Sequence, residues 1–154
     1  NEFTVATVGT IKVTPHSVNV IPGTCTFSLE IRDQSAEVMK LIENHLRQLL
    51  EDICKKYGVT STFVPTSYHD PAPMSELVRG TIEEAVKELG IDYTVIPSGA
   101  FHDSLIMTSV FPTGMIFVPS KDGISHSRYE YTAPEDIENG CNVLLNTVLK
   151  LDEK

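Results

Sequence analysis

A proline-rich segment divides this sequence into two parts with different hydrophobic patterns. Pro65, Pro71 and Pro73 lie close together, and the residues between them follow neither a helical nor a strand period. Proline removes a backbone donor and restricts the residue before it, so such a run interrupts regular structure. We therefore predict a first lobe at residues 1–64, a linker at residues 65–74 and a second lobe at residues 75–154.

The first lobe is predicted to contain an antiparallel sheet. Residues 5–13 alternate loosely between apolar and polar side chains, and residues 24–32 alternate clearly. Pro22-Gly23 lies between them and is typical of a turn, so we expect a hairpin that closes there. One face of the sheet is apolar and carries Cys25, Phe27, Leu29 and Ile31.

A long helix is predicted to follow the hairpin. Residues 35–57 place apolar side chains at helical spacing. Asp33 or Ser35 can cap the start of this helix, and Gly58 is expected to end it. A short strand is predicted at residues 59–64.

The second lobe alternates predicted helices with predicted strands. In chain order these are a helix at 75–89, a strand at 93–96, a helix at 103–110, a strand at 115–118 and a final helix. The final helix is expected to begin at a capping box, Thr132 to Glu135, with Pro134 in its first turn. This alternation favours part of an α/β layer with buried, parallel strands.

Charge and cysteine content limit the partners and the compartment. The formal net charge of −9 argues against binding to nucleic acid or to an anionic membrane. No apolar run approaches the length needed to span a membrane. Cys25, Cys54 and Cys141 are odd in number and lack metal-ligand spacing, so we expect reduced, buried thiols in a cytoplasmic protein.

Imidazole and carboxylate side chains gather in residues 98–130, at the ends of apolar elements. His102 and Asp103 follow one glycine-containing turn, and His126 and Glu130 follow another. Loops at the ends of regular elements often carry functional groups. Imidazole and carboxylate are ligands for zinc and are also general acids and bases.

Four motifs in and before this stretch resemble those of one enzyme family. In chain order they are Asn19-Val20-Ile21-Pro22-Gly23, Pro97-Ser98-Gly99-Ala100-Phe101-His102-Asp103, Pro112-Thr113-Gly114-Met115-Ile116-Phe117-Val118-Pro119-Ser120 and Gly123-Ile124-Ser125-His126. The chain resembles the N-carbamoyl-L-amino-acid hydrolase and allantoate amidohydrolase family of two-metal amidohydrolases, which are related to zinc aminoacylases and carboxypeptidases. The resemblance extends from about Thr7 to Leu151.

The resemblance implies an α/β fold and a metal-dependent hydrolase. It implies part of an α+β lid lobe, with its antiparallel sheet and helix, followed by part of a three-layer α/β catalytic lobe. The parent enzyme would hydrolyse the C–N bond of a ureido group on a carboxylate-bearing substrate, with two zinc or manganese ions that polarise the carbonyl and lower the pKa of water. Because most ligands would come from a missing N-terminal half, the metal site of this fragment is expected to be absent or incomplete, and the fragment alone inactive.

The resemblance also implies roles for residues of the second lobe. His126 is expected to bind a metal ion, and Glu130 to support the metal-binding residues or the loop without itself binding the metal. Gly99 and His102 are expected to contact the substrate, with His102 polarising an oxyanion. Two simpler interpretations remain open: His126 is a surface histidine, or Asp103 caps the short helix and leaves His102 half exposed. The family usually has glycine where this chain has Phe101, which leaves the substrate class open.

In the first lobe, the resemblance implies that Arg32 binds the substrate carboxylate and that Asn19 donates a hydrogen bond to the scissile carbonyl. The alternatives are an ion pair of Arg32 with Asp33, and a turn role for Asn19. If the hairpin closes at Pro22-Gly23, Asn19 and Arg32 lie roughly 20 Å apart, too far for one small ligand. Either the connection is irregular or the two residues serve different subunits.

The sequence leaves other functions open. An aminoacylase or dipeptidase is one alternative, and a non-catalytic dimerisation module is another. Allantoate cannot be separated from N-carbamoyl amino acids as the substrate. A homodimer joined through the first lobe is expected, because an unpaired strand edge and an uncovered apolar face recruit other chains. The resemblance implies the same interface.

Overall fold

The computed structural model describes residues 3–153, and the chain forms two compact units. The first unit is Asn1–Pro71 and the second is Ala72–Lys154. The division between them falls within the proline-rich segment. Each unit groups residues that contact one another more than they contact the rest of the chain.

The first unit contains the antiparallel pair that the alternating pattern predicts. Its four short strands are β1 (Val5–Thr7), β2 (Ile11–Thr14), β3 (Thr24–Phe27) and β4 (Glu30–Arg32). Strand β1 pairs with β4, and β2 pairs with β3, both antiparallel. The prediction of an antiparallel sheet is therefore confirmed.

A β-bulge interrupts this sheet. Residues 8–10 separate β1 from β2, whereas only residues 28–29 separate β3 from β4. One extra residue on one side of a ladder is the definition of a bulge. At this point the amide of Ser28 donates to the carbonyl of Thr10 at 3.1 Å, and the amide of Thr10 donates to Ser28 Oγ at 3.1 Å. The bulge divides each of the two predicted strands into two.

The connection between β2 and β3 is longer than predicted. Residues 15–23 form this loop, which closes where the amide of Gly23 donates to the carbonyl of Thr14 at 2.9 Å. The prediction of a tight turn at Pro22-Gly23 is therefore wrong. Asn19 lies within the loop and not on a strand.

Helix α1 (Ala36–Tyr57) begins and ends as its sequence predicts. Ser35 is the N-cap, and its Oγ accepts a hydrogen bond from the amide of Val38 at 3.3 Å. Asp33 supports the cap by accepting from the amide of Ser35 at 2.8 Å. Gly58 ends the helix with a φ of 66°, a left-handed conformation that glycine adopts readily.

The second unit is built from helices. They are α2 (Glu76–Glu88), α3 (Asp103–Met107) and α4 (Pro134–Asp152), with a 3₁₀ turn at Lys121–Gly123. Pro134 lies in the first turn of α4, as predicted. The N-cap of α4 is Ala133, however, without a side-chain cap hydrogen bond, so the predicted capping box at Thr132 is wrong.

Helices α2 and α4 pack together and hold the buried residues of the second unit. These are Thr81, Ala85 and Val86 on α2, and Val143 and Thr147 on α4. The hydroxyl of Thr81 donates to the carbonyl of Leu77 at 2.8 Å, and that of Thr147 donates to the carbonyl of Val143 at 2.7 Å. Because both hydroxyls are hydrogen-bonded, their burial does not leave an unsatisfied polar group.

Two glycines let the segment 114–118 approach both helices closely. A Cβ atom added at Gly114 would lie 2.6 Å from Cγ1 of Val78 on α2. A Cβ atom added at Gly140 of α4 would lie 2.6 Å from Cγ1 of Val118. Real side chains do not approach so closely, so glycine is required at both contacts.

Three predicted strands are not formed within the described residues. Residues 59–64, 93–96 and 115–118 have no regular secondary structure. A strand needs a hydrogen-bonded neighbour, and a hydrophobic pattern indicates burial without supplying that neighbour. The predicted α/β class is nevertheless confirmed as a mixture of helices with small antiparallel sheets.

The cysteines are free, as predicted, but less buried than predicted. Cys25 and Cys141 are exposed, and Cys54 is half-buried. The prediction of buried thiols is therefore wrong for Cys25 and Cys141. None of the described helices combines the length and apolar character needed to cross a membrane.

Candidate functional site

His126 lies in a loop that is closed at its base by the backbone. The loop covers residues 120–131, and the amide of Lys121 donates to the carbonyl of Tyr131 at 2.8 Å. Within it, Ser120 Oγ donates to the carbonyl of Ile124. The two ends of the loop are therefore fixed while the His126 side chain remains exposed.

The backbone of His126 is in the left-handed region, with a φ of 54°. This conformation is unfavourable for a residue with a Cβ atom, and such strained residues cluster at functional sites. The amide of His126 donates to Oε2 of Glu130 at 2.7 Å. Glu130 thus has the structural contact that its predicted role requires.

His102 lies immediately before α3 and is half-buried. Its Nε2 is 3.0 Å from Ser98 Oγ, and its ring packs edge-on against Phe117 with 5.8 Å between the ring centroids. His102 occupies the N-cap position without a side-chain cap bond, and Asp103 is the first helical residue. The interpretation of Asp103 as the cap is therefore wrong.

Gly99 lies in the turn that precedes His102. The amide of Ala100 donates to Ser98 Oγ at 3.3 Å across this turn. A Cβ atom added at Gly99 would meet no other residue within 4 Å. The space that a side chain at position 99 would occupy is therefore open. Phe101, the departure from the family motif, is exposed beside it.

Arg32 is the last residue of β4, and its guanidinium binds a carboxylate on the same strand. Nη2 of Arg32 lies 2.9 Å from Oε1 and 3.0 Å from Oε2 of Glu30. Residues i and i+2 of a strand share a face, which brings the two side chains together. Both side chains are exposed. Arg32 is thus already bound to a carboxylate at the surface of the sheet.

Asn19 and Arg32 lie at opposite ends of the hairpin. Asn19 is exposed in the loop beyond β2 and β3, where Ser17 Oγ donates to its Oδ1 at 2.8 Å. Arg32 pairs with Val5 at the far end. The eight residue-to-residue steps from Thr24 to Arg32 alone span about 26 Å at ~3.3 Å each. The loop is irregular, but it does not bring the two residues within reach of one small ligand.

The described residues of this chain do not bring together a complete set of metal ligands. The residues from 3 to 153 contain no group of three or more His, Cys, Asp or Glu side chains arranged to hold an ion. A catalytic zinc site uses three protein ligands, whereas His126 supplies one imidazole. Residues 3–153 by themselves therefore do not fit a resident metal ion.

Two contacts at the candidate residues were missed from the sequence. The ion pair of Glu30 with Arg32 was not predicted, although the i, i+2 spacing on one strand places both side chains on the same face. Ser98 was assigned only to a turn, although a serine near the histidine of a tight loop can hydrogen-bond its ring.

Comparisons with known proteins place the chain among hydrolases. Residues 2–150 match the model of Peptidase family M20/M25/M40. The chain is 40% identical over 148 residues to the N-carbamoyl-L-amino acid amidohydrolase of Geobacillus stearothermophilus, a match that covers 96% of this chain and 36% of that protein. It is 34% identical over 145 residues to the allantoate amidohydrolase of Bacillus subtilis, which covers 94% and 35% respectively. It is 36% identical over 149 residues to the ureidoglycolate hydrolase of Arabidopsis thaliana, which covers 96% and 31%.

Solved structures agree with the sequence relatives. A hydantoinase/carbamoylase family amidase from Burkholderia multivorans superposes with a TM-score of 0.87 at 36% identity, covering 96% of this chain and 36% of that one. AtUAH in complex with glyoxylate superposes with a TM-score of 0.91 at 34% identity, covering 100% and 37%.

The relatives share one chemistry, because their names describe hydrolases of C–N bonds. The chain belongs to the M20/M25/M40 peptidase family. The predicted resemblance to N-carbamoyl amino acid and allantoate amidohydrolases is thus confirmed. Members of the M20 family are generally metal-dependent. The chain spans about a third of the length of the curated relatives that it matches.

Proposed function

We propose that this chain is the C-terminal part of an amidohydrolase that cleaves the C–N bond of a ureido or N-carbamoyl group. The observation that supports this most is the similarity of nearly the whole chain to relatives named for N-carbamoyl amino acids, allantoate and ureidoglycolate. These three substrates share a ureido group and a carboxylate. A substrate with both groups is therefore proposed for the parent protein.

The carboxylate and the ureido group of such a substrate require different binding residues in this chain. Arg32 is proposed to bind the substrate carboxylate, because its planar guanidinium matches two oxygens. The contact between Arg32 and Glu30 supports this role, because the exposed guanidinium donates hydrogen bonds to both carboxylate oxygens. Asn19 is proposed to donate its amide to the scissile carbonyl or to the oxyanion that forms from it.

Gly99 and His102 are proposed to contact the substrate from the second unit. The place of a side chain at Gly99 is open, which leaves room for a ligand beside the turn. The imidazole of His102 is oriented by Ser98 Oγ at 3.0 Å. Such an orienting hydrogen bond supports a polarising role for the ring, because a group fixed before the reaction needs no reorganisation.

His126 is proposed to be one metal ligand of the parent protein, whose other ligands lie outside this chain. One imidazole cannot hold a catalytic ion, so this assignment requires residues from the remaining two-thirds of the relatives' length. In the same proposal, residues 1–64 belong to a lid lobe and residues 75–154 belong to the catalytic lobe. The metals are proposed to be two zinc or manganese ions.

A homodimer through the first lobe is proposed as the partner arrangement. Leu49, Ile53 and Tyr57 follow one another at i, i+4 spacing on α1 and are all exposed, so they form an apolar stripe. Ile11 and Phe27 pair across β2 and β3 and are also exposed. A second subunit would cover these faces, and it would allow Asn19 of one chain to act with Arg32 of the other.

A chimera tests the proposed function. In the Geobacillus enzyme, the segment that matches this chain is replaced by this chain, and hydrolysis of N-carbamoyl amino acids, allantoate, ureidoglycolate, N-acyl amino acids and dipeptides is measured with zinc or manganese. We expect turnover of at least one ureido substrate by the chimera, and none by the 154-residue chain alone.

Matched variants assign the activity to this chain. In the chimera, His126→Ala is expected to reduce activity to background. His45→Ala, which changes an exposed histidine of α1, is expected to leave it unchanged. A folded chimera without activity on any ureido substrate contradicts the proposal, as does a His126→Ala chimera with full activity. Preference for N-acyl amino acids or dipeptides would support the aminoacylase or dipeptidase alternative instead.

A further inference from the structure

The loop around His126 contains a closed chain of hydrogen bonds that returns to the His126 backbone. The amide of Glu130 donates to the carbonyl of Ser127 at 3.0 Å, and the amide of Tyr129 donates to Ser127 Oγ at 3.3 Å. This turn directs the side chain of Glu130 back along the loop. Its Oε2 then accepts from the amide of His126 at 2.7 Å.

His126, which lies in this closed chain of hydrogen bonds, has a backbone conformation that is unfavourable for a residue with a side chain. The φ of His126 is 54°, in the left-handed region where a Cβ atom crowds the backbone. A glycine would adopt this conformation freely, but it would remove the imidazole. Some contact must therefore compensate for the strain, and the amide of His126 has one charge-assisted hydrogen bond that can do so.

Other groups of the loop are occupied elsewhere. The guanidinium of Arg128 packs over the ring of Tyr129 at 4.7 Å and donates to its hydroxyl. In the described part of the chain, no Lys, Arg or His lies within ion-pair distance of Glu130. The carboxylate of Glu130 is thus directed to the His126 amide and not to a cation.

We infer that Glu130 is a positioning residue that holds His126 in its left-handed backbone conformation and so fixes the direction in which the imidazole leaves the loop. The conformational part of this inference stands on the geometry of the loop alone. Its importance for activity rests on the proposed function, in which His126 is a metal ligand.

Nuclear magnetic resonance of the whole chain tests the inference without a metal or an activity assay. The amide exchange rate of His126 and the ring signals of its imidazole are compared among the native chain, Glu130→Ala, Glu130→Gln and Glu130→Asp. We expect Glu130→Ala to accelerate exchange of the His126 amide on the order of tenfold and to shift the ring signals, because the bond that protects the amide is lost.

The other variants separate positioning from general stability and from charge. Glu130→Gln keeps an oxygen at the same reach and is expected to restore native exchange and ring signals. Glu130→Asp keeps the charge but is one methylene shorter, so it is expected to resemble Glu130→Ala. Glu138→Ala removes an exposed carboxylate of α4 and is expected to leave His126 unchanged.

Three results would overturn the inference: native exchange in Glu130→Ala, failure of Glu130→Gln to restore it, or native behaviour of Glu130→Asp. If Glu130→Ala does not fold, the Gln and Asp variants decide the question by the same criteria. A chimera that is inactive while these spectra behave as expected would reject the proposed function and leave the positioning role of Glu130 intact.

Discussion

The two units of this chain differ in their secondary structure and in how many side chains they bury. The first unit has paired strands and a capped helix of 22 residues, yet α1 has no buried residue. The second unit has no strand ladder among its described residues, yet α2 and α4 bury Ala85, Val86 and Val143. Regular backbone hydrogen bonding therefore does not by itself bury side chains, and burial does not require paired strands.

This difference has a consequence for association. Apolar surface that stays in contact with water disfavours the isolated form of a protein, at roughly 25 cal/mol for each Å². Both units leave large apolar residues exposed, but only the second unit also has a contact between helices that buries side chains. None of the described residues of the first unit is buried, so association is tested there, and the second unit is tested by its internal packing.

The largest expected effect is on association through the first unit. Replacing Leu49, which is 46% exposed on α1, by glutamate should weaken the dimer at least about a hundredfold, or ~2.7 kcal/mol, because a charge would be buried in the interface. Leu144→Glu changes a residue of α4 that is 55% exposed and should not affect the dimer. Sedimentation equilibrium at micromolar concentration measures both. A native monomer of 17.0 kDa, or a dimer that only Leu144→Glu disrupts, would show that the wrong unit was chosen.

The second expected effect concerns glycines in the helices of the second unit. Alanine is the better helix former by about 1 kcal/mol, so Gly80→Ala, which meets no neighbour within 4 Å, should raise the free energy of unfolding. Gly140→Ala places its Cβ atom 2.6 Å from Cγ1 of Val118 and should lower that free energy by about 1–3 kcal/mol. Urea denaturation measures the two variants.

A second substitution shows whether the contact at Gly140 is the cause. Val118→Ala removes the methyl group that an alanine at position 140 would meet. The double variant should therefore be less destabilised than the sum of the two single variants. Simple additivity, or stabilisation by Gly140→Ala alone, would mean that segment 114–118 does not pack against α4 as described.

The sequence predicted those parts of the fold that depend on neighbours along the chain. The extent of α1 and its caps at Ser35 and Gly58 follow from local periodicity and backbone chemistry. The β-bulge at residues 8–10 did not, because one extra residue in a loosely alternating segment leaves no local mark. The strands expected at 93–96 and 115–118 failed for a related reason: a strand exists only with its partner, and hydrophobicity does not identify one.

In the candidate site as well, features of the local sequence could be predicted, whereas features that depend on the folded structure could not. His126 is predicted from a short motif that can be compared directly, and Arg32 from its correspondence to a polar residue of the family's lid lobe. The left-handed backbone of His126 could not be predicted, because it depends on a hydrogen bond from its amide to a side chain four residues later. The separation of Asn19 from Arg32 was estimated correctly as too large, although the loop that was assumed for it was wrong.

The serine N-caps of α1 and α2 allow the local stability of the two units to be compared, with a smaller expected effect. Ser35 Oγ accepts from the amide of Val38 at 3.3 Å, and Ser75 Oγ accepts from the amide of Val78 at 3.5 Å. Ser35→Ala and Ser75→Ala should each lower the local stability of their own helix by about 1 kcal/mol. Amide hydrogen exchange, measured helix by helix, should show each loss in one unit only. Equal loss in both helices from either variant would show that the units unfold together.

The smallest expected effect is a pH dependence within α1. The Arg47 guanidinium, 2.7 Å from Oε1 of Glu43, holds the pKa of that carboxyl below its usual range. Because the pKa of Glu43 is lowered in the folded state, the pair stabilises the folded chain at a pH above the pKa that Glu43 has when unfolded. This stabilisation is lost as the pH falls through the pKa of Glu43 in the folded chain. For an i, i+4 pair at a helix surface this amounts to about 0.3–0.5 kcal/mol.

A neutral substitution at Glu43 removes its ion pairs with Arg47 and with Lys40, which lies 3.7 Å from it, and it is preferred because Arg47 has a second contact. Its guanidinium also lies 3.8 Å from the ring centre of Phe63, so changing Arg47 would remove two interactions. Glu43→Gln removes only the charge, and Glu51→Gln is the exposed control on the same helix. Amide hydrogen exchange gives the local free energy of unfolding of α1. Between about pH 7 and about pH 3, this free energy should fall in the native chain by a few tenths of a kcal/mol more than it falls in Glu43→Gln. The Glu51→Gln variant should follow the native chain. If Glu43→Gln has the native pH profile, the pair does not stabilise α1, and packing of Arg47 on Phe63 is what holds this part of the first unit together.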